Sequence, residues 1–232
     1  MVDAADAQAI AKRIQGIRRH IPQRVRLIAV TKKFPADIIR IAYAAGIRDF
    51  GESQVQETIA KQQALTDLDD ITWHLIGHLQ SNKARKALEQ FQWIHSVDSL
   101  KLAQRLNTLA QEMGVRPQCC LQVKVVPDPP KYGFDRSELW PALPDVAKLD
   151  CLHWAGLMSI PPLGLSAEET RFVFHQAQTL QSEINQKQLP NLKLRELSLG
   201  MSGDYQSAIA AGSTMIRLGT ALFGARPAAN SY

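Results

Sequence analysis

The feature that most constrains this chain is an alternation of short, β-branched runs with longer stretches of helical period, sustained from Val25 to Leu218. The strands expected are Val25–Thr31, Arg48–Gly51, Trp73–Ile76, Trp93–Val97, Cys119–Val125, Leu152–Met158, Glu196–Leu199 and Thr214–Leu218. Each is short and mostly apolar, as a strand covered on both faces of a parallel sheet should be. Such alternation with right-handed crossovers leaves two architectures, an open doubly wound sheet or a closed barrel. A count of eight favours closure. An open dinucleotide-binding sheet would also want a glycine-rich turn after its first strand, and Val30-Thr31-Lys32-Lys33-Phe34-Pro35 holds no glycine. The expected fold class is α/β: a single (β/α)8 TIM-like barrel over residues 25–225, in one domain covering residues 1–232.

Local signals mark the helix starts. From Asp6 to Arg19, Ile10, Ile14 and Ile17 recur at spacings of four and three, an amphipathic helix within residues 1–20 that is extra to the barrel. Pro35 is placed just inside the next helix, whose buried stripe is Ile38, Ile39, Ile41 and Ala42. Asp98 or Ser99 caps the helix after the fourth strand, and Ser166 with Glu169 reads as a capping box for a helix ending near Asn185. Pro127-Asp128-Pro129-Pro130 reads as a loop after the fifth strand.

Composition excludes several classes. With 45% hydrophobic and 21% charged residues, the chain is unlike a disordered or membrane protein. The net charge of +5 is dispersed among 22 acidic residues and hints at an anionic ligand. The densest basic stretch, Arg13, Arg18, Arg19, Arg24 and Arg26, reads as a solvated helix face with no nucleic-acid recognition motif beside it. Cys119, Cys120 and Cys151 lack CxxC spacing and read as reduced, buried thiols. The N-terminus has no secretory apolar region, Asp3 and Asp6 oppose a transit peptide, and no apolar run approaches the ~18 residues of a membrane span, so a cytoplasmic address is expected. No HExxH, acidic pair or Cys/His ligand spacing offers a metal site.

In barrel enzymes the chemistry sits at the C-terminal ends of the strands, and phosphate is commonly held by the loops after strands seven and eight. Here those loops are Leu199-Gly200-Met201-Ser202-Gly203-Asp204 and Arg217-Leu218-Gly219-Thr220-Ala221-Leu222-Phe223-Gly224. Both join glycines to hydroxyl side chains, leaving backbone N–H groups to meet an oxyanion. Lys32 closes the first strand at the same rim. If it points to the barrel axis, alternation sends Val30 and Ile28 there too, turns Ala29 and Thr31 toward the helices and turns Lys33 away. A desolvated lysine beside a phosphate cup suits aldehyde capture. His74, Ile76 and His78 share one strand face. His78 stands at the rim within reach of a ligand, while His74, His95 and His153 read as satisfied core histidines. Tyr132 lies on a loop near the mouth, and Met158 and Met201 stand at strand ends as packing residues or cofactor lining.

With those residues in view, the chain resembles the pyridoxal phosphate homeostasis proteins, a family related in fold to the barrel domain of alanine racemase. The resemblance is carried by AVTK at Ala29–Lys32, DFGESQVQE at Asp49–Glu57, WHLIGHLQSNK at Trp73–Lys83 and HSVDS at His95–Ser99. It continues through GLMSIPP at Gly156–Pro162, LSLGMSGDYQSAI at Leu197–Ile209 and GSTMIRLGTALFG at Gly212–Gly224. It implies a fold-type-III barrel with pyridoxal 5′-phosphate held as a Schiff base on Lys32, its phosphate on Ser202, Gly219 and Thr220, and Arg217 facing the pyridine nitrogen. An arginine there opposes protonation of that nitrogen and makes the ring a poorer electron sink. Met201 and His78 join the expected cofactor set. Ser53 stands where the family usually has asparagine, so a ring contact there is reduced to one hydroxyl.

The resemblance implies a protein that buffers, carries or regulates pyridoxal phosphate and so affects amino-acid and keto-acid balance. No committed turnover is expected. A barrel racemase needs a second base, which alanine racemase draws from a partner subunit with an added β-domain. This chain stops at Tyr232, and no such C-terminal domain is expected. The exposed cofactor face that results would suit exchange with apo-enzymes or regulatory proteins, and the missing dimer contact leads to the expectation of a monomer. Two further readings stand beside it. One is a racemase-like enzyme with Lys32 as one base and Tyr132 or His78 as the other. The second is a cofactor-free aldolase in which Lys32 attacks a sugar phosphate.

Overall fold

Every barrel strand pairs in parallel with the next in chain order, and the last returns to the first. The computed structural model describes residues 4–129 and 131–225; Pro130, Asp3 and Tyr232 lie outside it. Its strands are β1 (Arg26–Val30), β2 (Asp49–Glu52), β3 (Thr72–Leu75), β4 (Trp93–Val97), β5 (Gln118–Lys124), β6 (Phe134–Asp135), β7 (His153–Met158), β8 (Glu196–Ser198) and β9 (Met215–Leu218). The pairing of β4 with β5, and of β1 with β9 where Ile28 stands opposite Arg217, closes eight of them into a ring. The two-residue β6 is the exception. It pairs only with β5, through Val123 and Phe134, outside the ring. Each of the eight expected strands is present, displaced by no more than one residue at either end.

The helices are α1 (Ala4–His20), α2 (Ala36–Ala44), α3 (Val55–Gln63), α4 (Ala84–Gln90), α5 (Leu100–Met113), α6 (Arg136–Val146), α7 (Ala167–Gln186), α8 (Tyr205–Ala210) and α9 (Thr220–Phe223). The extra helix α1 buries Ile10 and Ile14. Ser99 caps α5 by accepting from the Leu102 N–H, and Ser166 with Glu169 forms the capping box of α7. Pro35 is the residue before α2 rather than its first, since its ψ of 164° is extended. One strand, β6, was not foreseen. Helix α6 falls among the helical stretches expected between strands, although it carries Pro141 and Pro144 in its interior, and it is held at its start by the Asp135–Glu138 capping box.

Two apolar clusters divide the molecule at the sheet. The larger lies outside the ring, where Ala29, Phe50, Leu75 and Ile216 meet Ile39, Leu106, Phe174 and Leu222 of the helices. Each fully buried large side chain there contributes roughly 1.5–3 kcal/mol. The smaller lies within the ring and comprises Ile28, Trp93, Cys120, Ala155, Met158 and Met215. Strand alternation explains the split, because Ala29 falls outside and Ile28 inside. Where β7 meets β8 the backbones approach so closely that a Cβ on Gly156 would lie 1.8 Å from the Glu196 carbonyl. Two expectations are corrected. His153 is exposed at the first position of β7, because that position lies at the barrel's open N-terminal end. Cys151 is only partly buried, while Cys119 and Cys120 are fully buried and all three thiols are free.

Candidate functional site

At the C-terminal ends of the strands a cavity of about 260 Å³ opens between β1 and the two glycine-bearing loops. Lys32, Met201, Ser202, Arg217, Gly219 and Thr220 all line it, together with Val30, Ile76, Ile160 and Gly203. The amine-bearing end of β1 and the cup formed after β8 and β9 are therefore neighbours around one space. This follows from closure, since β1 and β9 are adjacent only in a ring.

The Lys32 corner is clamped from outside the barrel. Thr31, turned toward the helices, donates its hydroxyl to Glu52 Oε1 at 2.6 Å. Lys61 of α3 reaches the same oxygen at 2.7 Å, the Thr31 carbonyl at 2.8 Å and Glu57 at 2.7 Å. The Lys33 N–H donates to Glu57 at 2.6 Å, and its φ of 66° is the left-handed conformation that turns its side chain away from the axis. Burial pushes the Glu52 carboxyl above its ordinary range, against the pull of Lys61. Its Oε2 has no hydrogen-bond partner among the described residues.

The cup is built from backbone. Ser202 Oγ accepts from Gly219 N at 3.3 Å and from Ala221 N at 3.1 Å, so a hydroxyl and two amides converge where α9 begins. Gly200 makes the turn possible. At φ 88° a side chain is strained, and a Cβ would come within 2.6 Å of the Ala208 Cβ. Its carbonyl accepts from Arg217 N at 3.0 Å, which ties the two loops together.

Arg217 is buried beside this cup. Its guanidinium donates to Ser198 Oγ at 2.7 Å, to the Ser198 carbonyl, and to the Ser159 carbonyl at 3.2 Å. Burial pushes its pKa down to about 10, so it remains a cation at neutral pH. Ser198 also meets His95 Nδ1 at 2.8 Å, and His95 Nε2 meets His74 Nδ1 at 2.9 Å. His74 and His95 are thus the satisfied core histidines expected. The polar chain they form was not read from the sequence, although alternation along β3 and β4 puts both rings inside.

Two candidates stand apart from the cavity lining. His78 follows the end of β3 at Leu75, so strand alternation no longer governs its direction after Gly77. It pairs with Asp98 at 2.8 Å and stacks on Tyr132 with ring centroids 3.5 Å apart. Ser53 is half-buried against Gly77, where a Cβ would fall 2.4 Å from the Ser53 carbonyl. Tyr132 is 58% exposed. Met158 packs inside the barrel, whereas Met201 borders the cavity. Ile160 was missed, and its only signal is its place two residues beyond Met158. Among the described residues no cluster of His, Cys, Asp or Glu suits a metal ion, and no helix is long and apolar enough to cross a membrane.

A family model described as alanine racemase, N-terminal domain, matches residues 5–227. The pyridoxal phosphate homeostasis protein of Synechocystis is 52% identical over 206 residues, covering 89% of this chain and 94% of that relative. Its counterpart in Escherichia coli is 39% identical over 209 residues, covering 88% and 87%. The structure of PipY from Synechococcus elongatus with PLP bound matches with a TM-score of 0.89 at 55% identity, over 93% of this chain and 100% of that one. Alanine racemase from Clostridium difficile, at 13% identity and a TM-score of 0.77, shares the fold over 97% of this chain and 59% of its own.

Proposed function

Because this chain belongs to the pyridoxal phosphate homeostasis proteins, built on the alanine racemase N-terminal barrel, we propose that it binds pyridoxal 5′-phosphate on Lys32 and maintains the cellular balance of that cofactor without committed turnover. One observation carries the residue assignment: Lys32 and the Ser202, Gly219 and Thr220 cup line the same cavity of about 260 Å³, a size for one small phosphorylated ring. The cofactor's demands match this donor set. Its aldehyde needs an amine, its phosphate needs N–H and O–H donors, and its ring needs an apolar wall, which Val30, Ile76 and Ile160 provide.

When bound, pyridoxal phosphate supplies an electron sink for chemistry at an amino-acid α-carbon. The residues here restrain that sink. Arg217 stays charged and is held by Ser198 and Ser159 at the cavity wall, so it would oppose a positive charge on a ring nitrogen placed beside it. The racemase-like reading has less support, because neither Tyr132 nor His78 lines the cavity with Lys32. The aldolase reading is disfavoured by PipY, a 55% identical structure named as holding PLP. We place the action in the cytoplasm, in keeping with three free thiols, and in a monomer, which sedimentation checks.

Borohydride reduction followed by peptide mass mapping tests the proposal. The expected adduct falls on Lys32 and is absent from Lys32→Ala. An adduct on Lys33, or none on protein incubated with the cofactor, overturns it.

A further inference from the structure

A single file of hydrogen bonds crosses the interior of the barrel from Arg217, at the cofactor cavity, to Asp49 at the opposite end. Arg217 Nη1 lies 2.7 Å from Ser198 Oγ, and His95 Nδ1 lies 2.8 Å from that oxygen. His95 Nε2 lies 2.9 Å from His74 Nδ1, and His74 Nε2 lies 3.0 Å from Asp49 Oδ1. Five residues on β9, β8, β4, β3 and β2 thus form one chain. At its far end Asp49 is part-exposed and borders a second cavity, of about 300 Å³, with Arg18, Gln23 and Arg26.

The proton positions follow from the two ends. A guanidinium can only donate, so Ser198 Oγ accepts from Arg217. A carboxylate can only accept, so His74 Nε2 carries the proton shared with Asp49. In a neutral imidazole the other nitrogen is then an acceptor, which His95 Nε2–H must supply. His95 Nδ1 accepts in turn from the Ser198 hydroxyl. Every donor points from Arg217 toward Asp49, and bonds aligned in this way polarise one another. Burial holds both imidazoles neutral, lowering His74 and lowering His95 further beside His74, Arg217 and Arg26. The other charges around the chain are Arg26 of β1, 3.6 Å from Asp49, Glu196 of β8, and Asp204 in the loop after β8. The buried Cys120 thiol of β5 is kept protonated.

We propose that Asp49 is a positioning residue for Arg217, fixing the direction of this chain through His74, His95 and Ser198 and so setting how the guanidinium meets the bound cofactor. The role toward the cofactor rests on the reading of the cavity as a pyridoxal phosphate site. Asp49→Asn is the informative change, because an amide both donates and accepts and leaves the imidazoles free to reverse.

Two measurements test it. In cofactor-free protein, ¹⁵N NMR of the histidine rings is expected to show Nε2–H and bare Nδ1 at both His74 and His95, with mixed tautomers in Asp49→Asn. In protein loaded with pyridoxal phosphate, the absorbance titration of the bound cofactor is expected to move by about one pH unit or more in Asp49→Asn and to return in Asp49→Glu. Nδ1–H on either ring of the wild type, or an unchanged tautomer pattern or titration in Asp49→Asn, overturns the proposal. If Asp49→Asn does not fold, Ser198→Ala cuts the chain at its middle and must move the titration likewise. Failure to take up any cofactor sinks the functional reading, while the ring spectra still decide whether Asp49 directs the chain.

Discussion

Lys32 owes its direction to its neighbours. Thr31 is fastened outward to Glu52, Lys33 turns away at φ 66°, and the side chain between them is left to border the cavity. The cup depends as closely on single residues. Ser202→Ala removes the hydroxyl that joins the Gly219 and Ala221 amides, and loss of one such bond, about 1–1.5 kcal/mol, predicts roughly tenfold weaker pyridoxal phosphate binding by fluorescence titration. An unchanged affinity would remove Ser202 from the phosphate site. Gly200→Ala should act on folding as well, since its Cβ would meet both Ala208 and the Tyr205 backbone; a loss of roughly 1–3 kcal/mol is expected in urea unfolding. Six of the eight expected site residues line one cavity. The two that do not are Ser53, half-buried against Gly77 just after β2, and His78, which lies after β3 and is held by Asp98 and Tyr132.

At the scale of elements, legibility tracked periodicity. Each barrel strand announced itself because both faces are buried, and α5 and α7 because Ser99 and Ser166 are strong caps. The Asp135–Glu138 capping box marks α6 in the same way, but Pro141 and Pro144 in its interior argue against a helix, and burial of Leu139, Leu143 and Val146 fixes its place. The link between α3 and the end of β1 was hidden. Lys61 looks like a surface lysine in sequence, yet it is buried and joins Thr31, Glu52 and Glu57. Replacing it by methionine should leave Glu52 as a buried charge without its counterion. The expected cost is roughly 3–5 kcal/mol, or uptake of a proton by Glu52, and the lost clamp should slow adduct formation on Lys32. Thermal unfolding and borohydride trapping of Lys61→Met measure the two effects separately. A variant with wild-type stability and trapping rate would show the clamp to be incidental.

Considered whole, the molecule places apolar packing outside its sheet and much of its polar chemistry inside, an arrangement with a consequence for pH. His74 and His95 are held neutral in the folded state by burial, while in the unfolded chain each takes a proton near pH 6.5. Below that value the unfolded state binds protons that the folded state refuses, so stability is full above it and falls as the solution is acidified. The slope is about 1.4 kcal/mol per pH unit for each such histidine, continuing until its own lowered pKa is reached. His95, shifted further, should keep contributing after His74 has begun to charge. Urea unfolding between pH 7.5 and pH 5 should therefore show a steep loss, and the slope should be shallower by one proton in His95→Gln, which cannot titrate. An acid limb of equal slope in that variant would mean that the barrel interior admits the proton, and that the file of bonds from Arg217 to Asp49 is not closed to it.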